Sequence, residues 1–334
     1  LVLKTDHVGD FLLCLPAVRD LAAAAPRAEV GFAVGTTNVP LAERVPWIRE
    51  VHAHDSPRYA RGAVRPRDRR LRGILQRDWD LVVDLTNDPE SALAALRRPS
   101  RHRLDLGTHR LREKARAIAG RGRGLRDEHV TRVFYRTLGM PPPAAIVPEG
   151  IALRDAERRE ASRLIGRGWP GDGPIAAIHA GATWEFRRWP EARFADVARE
   201  LERRGLAVFL VGGPKDRPVS EAVAAAAGLR AERVLAGATD LPAAAAVLER
   251  CAVLVANDGG LMHLAAAQGT PVVGIFGPTN PNAFGPLGAR SRALWKRRDC
   301  APCGQRHCIW NRARCLEPIE TGEVLAAVDE VARR

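Results

Sequence analysis

Residues 251–277 read "CAVLVANDGGLMHLAAAQGTPVVGIFG". "CAVLVA" is a short run rich in Val and Leu that ends in polar residues, and "PVVGIFG" is a second such run. Between them "GGLMHLAAAQG" has the Ala and Leu content of a helix, closed by Gly269. Strand, helix and strand in immediate succession make a βαβ unit, and repeated units of that kind build a parallel sheet covered by helices. The turn into the helix carries the chemistry. Gly259 and Gly260 stand where Ala would favour the helix by about 1 kcal/mol each. Without side chains there, a ligand can approach the unpaired N–H groups at the helix start, where the partial positive charge suits a diphosphate. His263 falls one turn later and can donate to the same ligand. The plainer alternative makes Asp258 an N-cap and His263 a half-buried packing residue.

The same rhythm extends in both directions. Upstream, "PIAAIHA", "LAVFLVGG" and "RVLAG" are short apolar runs, each followed by a turn or helix. In the first half "LVLKT", "AEVGFAV", "DWDLVVDL" and "RHRLDLG" predict strands, with helices over "FLLCLPAVRDLAAAAP" and residues 89–97. "MPPPAAIVPEG" (140–150) is a Pro-rich break, and after an Arg- and Glu-rich helix the second core starts at Pro174. The expected organisation is two doubly wound α/β domains facing across a cleft, residues 1–168 and 169–334. Ligands of such sheets sit beyond the carboxyl ends of the strands.

Length agrees, since 334 residues exceed one ordinary core. The formal charge is +13, and residues 57–126 hold 19 Lys and Arg against 8 Asp and Glu, a net +11. Arginine forks favour phosphates and carboxylates, although a basic surface can also be merely solvated. Aromatic content of 5% and the lack of a nucleic-acid motif argue against a nucleic-acid partner. No run approaches the roughly 18 apolar residues of a membrane span, and nothing at the start reads as a signal peptide, which predicts the cytoplasm.

Three further stretches fall at predicted strand ends. "HAGATWEFRRWP" (179–190) gathers His179, Gly181, Thr183, Arg187 and Arg188 before a helix that starts near Pro190. Small residues, a hydroxyl and guanidinium groups suit a sugar phosphate; a basic surface loop is the alternative. "LVGGPKD" (210–216) offers paired glycines against which a flat base or ribose can lie. "KTDHVGDFLLCLP" (4–16) sets Asp10 in the first turn of a helix. A carboxylate there serves equally as a cap or as a general base taking a proton from a hydroxyl. Neither the dinucleotide nor the P-loop glycine pattern occurs at a strand–helix junction.

Taken together, these segments resemble glycosyltransferase family 9, the ADP-heptose:lipopolysaccharide heptosyltransferases. "KTDHVGDFLLCLPA", "HAGATWEFRRWP" and "NDGGLMHLAAAQGTPVVGIFGPT" occur in the family's order, with "WDLVVDL" between the first two. The resemblance implies a GT-B fold, with an acceptor-binding first domain and a nucleotide-sugar-binding second domain. It implies inverting transfer of a heptose from ADP-heptose to a hydroxyl of the lipopolysaccharide inner core. By that likeness Asp10 matches the catalytic aspartate, and Thr183, Arg187, Asp258, Gly259, Gly260 and His263 match donor contacts. No metal ion or other cofactor is implied. The acceptor would be an anionic glycolipid, which allows peripheral contact with the cytoplasmic face of the inner membrane. Two positions depart from the family: Gly259 replaces a common Thr, and Arg187 a usual Lys. Both keep a different donor or acceptor in view.

Four of the six cysteines, Cys300, Cys303, Cys308 and Cys315, are spaced C-x2-C-x4-C-x6-C. Such thiols can hold zinc, stay free or oxidise reversibly; a reducing compartment disfavours disulfides. Cys14 and Cys251 lie in apolar runs and read as core. The rival of another class is a non-catalytic polyanion-binding protein with a zinc-binding tail, in which Asp10 would be dispensable. A dinucleotide oxidoreductase lacks its fingerprint.

Overall fold

A computed structural model describes residues 1–55, 69–86, 102–105, 128–301, 303, 308 and 315–333. The chain divides into two compact units, Leu1–Ala152 and Leu153–Arg334. Each contains a five-stranded parallel sheet.

The first unit has β1 (Val2–Lys4), β2 (Val30–Val34), β3 (Ile48–Ala53), β4 (Leu81–Asp84) and β5 (His102–Asp105), in the order β3-β2-β1-β4-β5. β1 is buried along its whole length, as expected of a central strand covered on both faces. It leads into α1 (Val8–Ala24), whose Phe11 packs edge-on against Phe32 of β2 at 5.7 Å. Pro16 interrupts the hydrogen-bond ladder of α1, and a neighbouring helix, α4 (Val130–Thr137), supplies donors alongside. Thr131 Oγ1 donates to the Leu13 carbonyl at 2.8 Å, and the Tyr135 hydroxyl to that of Pro16 at 3.2 Å. Two shorter helices, α2 (Val39–Ala42) and α3 (Arg69–Leu75), complete the unit's described helices.

The second unit has β6 (Ile175–His179), β7 (Ala207–Leu210), β8 (Cys251–Asn257), β9 (Val272–Phe276) and β10 (Ser291–Trp295), in the order β10-β9-β8-β6-β7. Strand direction of growth reverses between β6 and β8. That is the topological switch point, the place where the loops leaving two adjacent strands diverge and open a crevice. In the first unit the equivalent point lies between β1 and β4. The described helices of the second unit are α5 (Asp155–Gly168), α6 (Glu191–Arg203), α7 (Arg217–Ala227), α8 (Leu241–Glu249), α9 (Gly260–Ala267), α10 (Pro281–Phe284) and α11 (Thr321–Arg333).

Three expectations change. The units meet at residues 152 and 153, not at 168 and 169. The reason is α5, which buries Ala161, Leu164 and Ile165 and reaches the second unit through Arg158, paired to Glu249 at the end of α8 at 3.0 Å. "RVLAG" forms only an isolated bridge, Leu210 to Val234, and the fifth strand is β10 instead. β3, "IREVHA", was not expected either. Both unforeseen strands lie at sheet edges and are half-exposed, so neither shows the continuous apolar run of an interior strand. The helix expected over residues 89–97, and most of the basic stretch 57–126, lie outside the described residues. No helix among the described residues is long and apolar enough to cross a membrane.

Candidate functional site

The loops that leave β6 and β8 occupy the switch point of the second sheet. Asn257, the last residue of β8, ties them together. Its Nδ2 donates to the carbonyls of Ala180 at 2.8 Å and Gly181 at 3.3 Å, and its Oδ1 accepts from the Trp189 N–H at 3.0 Å. Both ends of the middle motif are thereby pinned to the start of the late one. Asn257 is fully buried, so these bonds are shielded from water.

The glycine turn follows. α9 starts at Gly260 with Gly259, not Asp258, as its N-cap, and no side chain caps it. Gly259 therefore offers no side chain to the first amides of the helix, the groups that an anion at a helix start would use. Asp258 instead faces Arg187, with Oδ2 and Nη1 3.7 Å apart. Arg187 closes a short 3-10 turn, Glu185–Arg187, and its Nε is shielded from solvent with no hydrogen-bond partner among the described residues. Arg188 Nε is in the same condition. A buried guanidinium nitrogen without an acceptor is costly, and an anion at this place would relieve it. Arg187, Asp258, Gly259 and Gly260 are thus brought to one place. His263 is buried in the first turn of α9, and Thr183 is exposed on the 179–190 loop.

The backbone at Gly259 is extended, with φ of 179°, and a Cβ there would meet only His179 Cε1 at 3.7 Å and the Asn257 carbonyl at 3.8 Å. The protein's own packing does not demand glycine at this position. Gly181 and Gly212 differ. A Cβ on Gly181 would fall 2.1 Å from Asp216 Oδ1, and one on Gly212 2.7 Å from Asp216 Cβ. The space beside Gly212, read from sequence as room for a base or ribose, is filled by Asp216 itself.

Asp216 is the polar residue that sequence reasoning passed over. Its Oδ2 accepts from the Gly213 N–H at 2.9 Å and faces His179 Nε2 at 3.3 Å. Burial works against its charge, but the His179 hydrogen bond and charge, with the Gly213 N–H, outweigh it and hold the carboxyl below its ordinary 3.8. The available signal was "GGPKD" itself, glycines that make room for a nearby carboxylate.

Asp10 belongs to the first unit, three residues beyond the N-cap His7 of α1, and is partly exposed. His7 makes no side-chain capping bond, and Asp10 makes no hydrogen bond or ion pair among the described residues. Cys14 and Cys251 are buried as expected, their thiols pushed up to about 12 by burial. Cys315 joins the second unit's core, while Cys300 is exposed and Cys303 and Cys308 intermediate. All six are free thiols, and among the described residues no group of three or more His, Cys, Asp or Glu is arranged to hold a metal ion.

Comparison with known proteins bears on the family and the fold. The chain is 30% identical over 331 residues to lipopolysaccharide heptosyltransferase 1 of Pseudomonas aeruginosa, covering 93% of this chain and 87% of that protein. The solved structure of E. coli ADP-heptose lps heptosyltransferase II superposes with a TM-score of 0.74 at 22% identity, over 99% of this chain and 98% of that one. E. coli heptosyltransferase WaaC, solved with ADP, gives 0.69 at 22% identity, over 99% and 98%. The fold is theirs, the GT-B arrangement of two parallel α/β sheets. The family model for glycosyltransferase family 9 (heptosyltransferase) matches residues 67–313, and the chain belongs to that family.

Proposed function

We propose that this enzyme transfers a heptose from ADP-heptose to a hydroxyl of the lipopolysaccharide inner core, with inversion and in a single displacement. The observation that carries the donor half is Arg187: a guanidinium with an unpartnered, shielded Nε, beside a glycine turn whose helix amides have no side-chain cap. Those are donors awaiting an anion, and a diphosphate supplies several acceptor oxygens at once. Arg187, Gly259 and Gly260 take the diphosphate, and Thr183, Asp258 and His263 complete the donor site. The ADP bound to a relative of the same fold, and the names of the relatives, support the choice of nucleotide and sugar.

Asp10 is the base. As the acceptor oxygen attacks the anomeric carbon, its proton passes to the Asp10 carboxylate. The bond from that carbon to the diphosphate breaks, and ADP departs with the electron pair. Charge grows on the leaving phosphate, where fixed donors stabilise the transition state more than the ground state. The acceptor is an anionic glycolipid, reached by peripheral contact at the cytoplasmic membrane face.

Two variants test the two halves. Asp10→Ala is expected to bind ADP with unchanged affinity and to transfer nothing; retained turnover removes Asp10 from the mechanism. Arg187→Ala is expected to weaken ADP binding by about 10-fold or more, as for a lost charged hydrogen bond. Unchanged affinity in calorimetry removes Arg187 from the phosphate site. Thermal shifts with ADP, UDP, GDP and CMP set the nucleotide, and a preference for any but ADP overturns the donor named here.

A further inference from the structure

β6 ends at His179, opposite Ala256 of β8 and therefore at the switch point of the second sheet. Its side chain is 7% exposed. The two ring nitrogens have different surroundings. Nε2 lies 3.3 Å from Asp216 Oδ2, whereas Nδ1 is shielded from solvent and has no hydrogen-bond partner among the described residues. Cε1, the carbon between the two nitrogens, is the ring atom turned to the glycine turn, 3.7 Å from where a Cβ on Gly259 would stand.

The sequence makes room for the His179–Asp216 pair with two glycines. A Cβ on Gly181 would overlap Asp216 Oδ1 at 2.1 Å, and one on Gly212 would press on Asp216 Cβ at 2.7 Å. Neither glycine is among those with a left-handed backbone, so the carboxylate's space, and not the turn, requires them. The Gly213 N–H also holds Asp216, at 2.9 Å. A carboxylate in that place accepts from Nε2–H and so puts the imidazole proton on Nε2. Nδ1 is then left with its lone pair, a buried acceptor to which none of the described residues donates. Fastening the loops after β6 and β7 accounts for Nε2 alone, and a glutamine amide serves that purpose as well. It does not account for Nδ1, whose burial without a partner costs about 1–3 kcal/mol.

We propose that His179 is a donor-binding residue whose Nδ1 accepts a hydrogen bond from a hydroxyl of the nucleotide sugar, and that Asp216 is the positioning residue that fixes its tautomer and ring. This rests on the reading of the Gly259–Gly260 turn as the diphosphate site. In a nucleotide sugar the hydroxyls of the ribose and of the transferred sugar flank the diphosphate, one set on each side. An imidazole edge beside the turn meets one of these sets. A bare nitrogen lone pair repels a phosphate oxygen, so a hydroxyl is the group it selects. Charge is thus left to Arg187 and the helix amides, and His179 discriminates: a ligand that lacks the hydroxyl leaves Nδ1 unpaired.

Asparagine and glutamine separate the two nitrogens, since Asn places an amide atom near the position of Nδ1 and Gln one near that of Nε2. In calorimetry without acceptor, His179→Gln is expected to weaken donor binding roughly 3- to 10-fold, and His179→Asn to stay within about 2-fold of the parent. Equal losses for ADP and ADP-heptose assign the hydroxyl to the ribose, and a loss confined to ADP-heptose assigns it to the heptose. Nitrogen-15 NMR of histidine-labelled full-length protein reads the tautomer directly, well above the ordinary histidine pKa. The His179 signals are those absent from either variant, so one folded variant suffices. Nδ1 is expected to be bare in the free protein and its resonance to move on addition of ADP-heptose. Asp216→Ala should mix the tautomers and weaken binding in step, and Asp216→Asn, which keeps an acceptor, should restore both. Equal affinities of the Gln and Asn variants, or an Nδ1 that carries the proton or ignores the ligand, overturn the role of His179. If Arg187→Ala weakens ADP binding in that case, the donor site stands without His179; if it does not, the diphosphate reading falls as well.

Discussion

At the scale of single residues, Gly259 has changed meaning. Its spacing before an apolar helix marked it as a place where something must come close, and the structure shows that this something is not the protein. Only van der Waals contacts at 3.7 Å and 3.8 Å await a Cβ, and the extended backbone is open to any residue. Gly259→Thr, which supplies the hydroxyl common in the family, is therefore expected to leave the unfolding free energy within about 0.5 kcal/mol of the parent. It should tighten ADP binding by roughly 2- to 10-fold, as for one added hydrogen bond. Calorimetry and chemical denaturation check the two parts separately. Looser binding would mean that the site is shaped for a bulkier donor group at this position.

The residues proposed to form the site were the legible ones, because most of them stand out as exceptions to local rules. Glycines opening a helix and paired arginines at a strand end depart from what packing alone would select, whereas an aspartate in a first turn is also an ordinary helix-stabilising choice. Asn257 and Asp216 were not legible. Nothing in their immediate sequence says that Asn257 reaches back to Ala180, 77 positions earlier, or that Asp216 turns toward His179.

Among the elements, every interior strand was read correctly, and the two strands missed, β3 and β10, both lie at sheet edges. β6 and β9 are continuous apolar runs because helices cover both faces of the sheet. β3 and β10 carry mixed sequences because one side of each faces solvent. The link between elements that matters most to the site is Asn257, which joins β8 to both ends of the 179–190 loop. Asn257→Ala leaves the Trp189 N–H and the Ala180 carbonyl without their partner, at about 1–3 kcal/mol for each buried group. The midpoint of denaturation should fall accordingly and ADP affinity with it. An unchanged midpoint would show that other contacts hold the loop.

For the whole molecule, two sheets with separate helices make two units, and the residues proposed to hold the donor all come from the second. ADP is expected to slow amide exchange in residues 179–189, 211–217 and 257–263, with little change in the first unit. Hydrogen exchange by mass spectrometry checks this. Protection centred on the β1–α1 turn instead would place the nucleotide in the first unit and reverse the assignment of donor and acceptor.

The sequence by itself determined the fold class and the interior strands, and it marked the positions proposed to face a ligand. Apolar periodicity, helix starts and glycine turns are local properties, written within a few residues of the feature they specify. Only the tertiary structure decided where the units divide, which strands close the sheets, and how the residues around the site are paired. α5 belongs to the second unit because Arg158 meets Glu249 there, and the Lys4 ammonium is shared among Asp6, the Leu85 carbonyl and the Phe134 ring. Such pairings join positions far apart in the chain, and burial, which sets their strength, exists only once the sheets have formed.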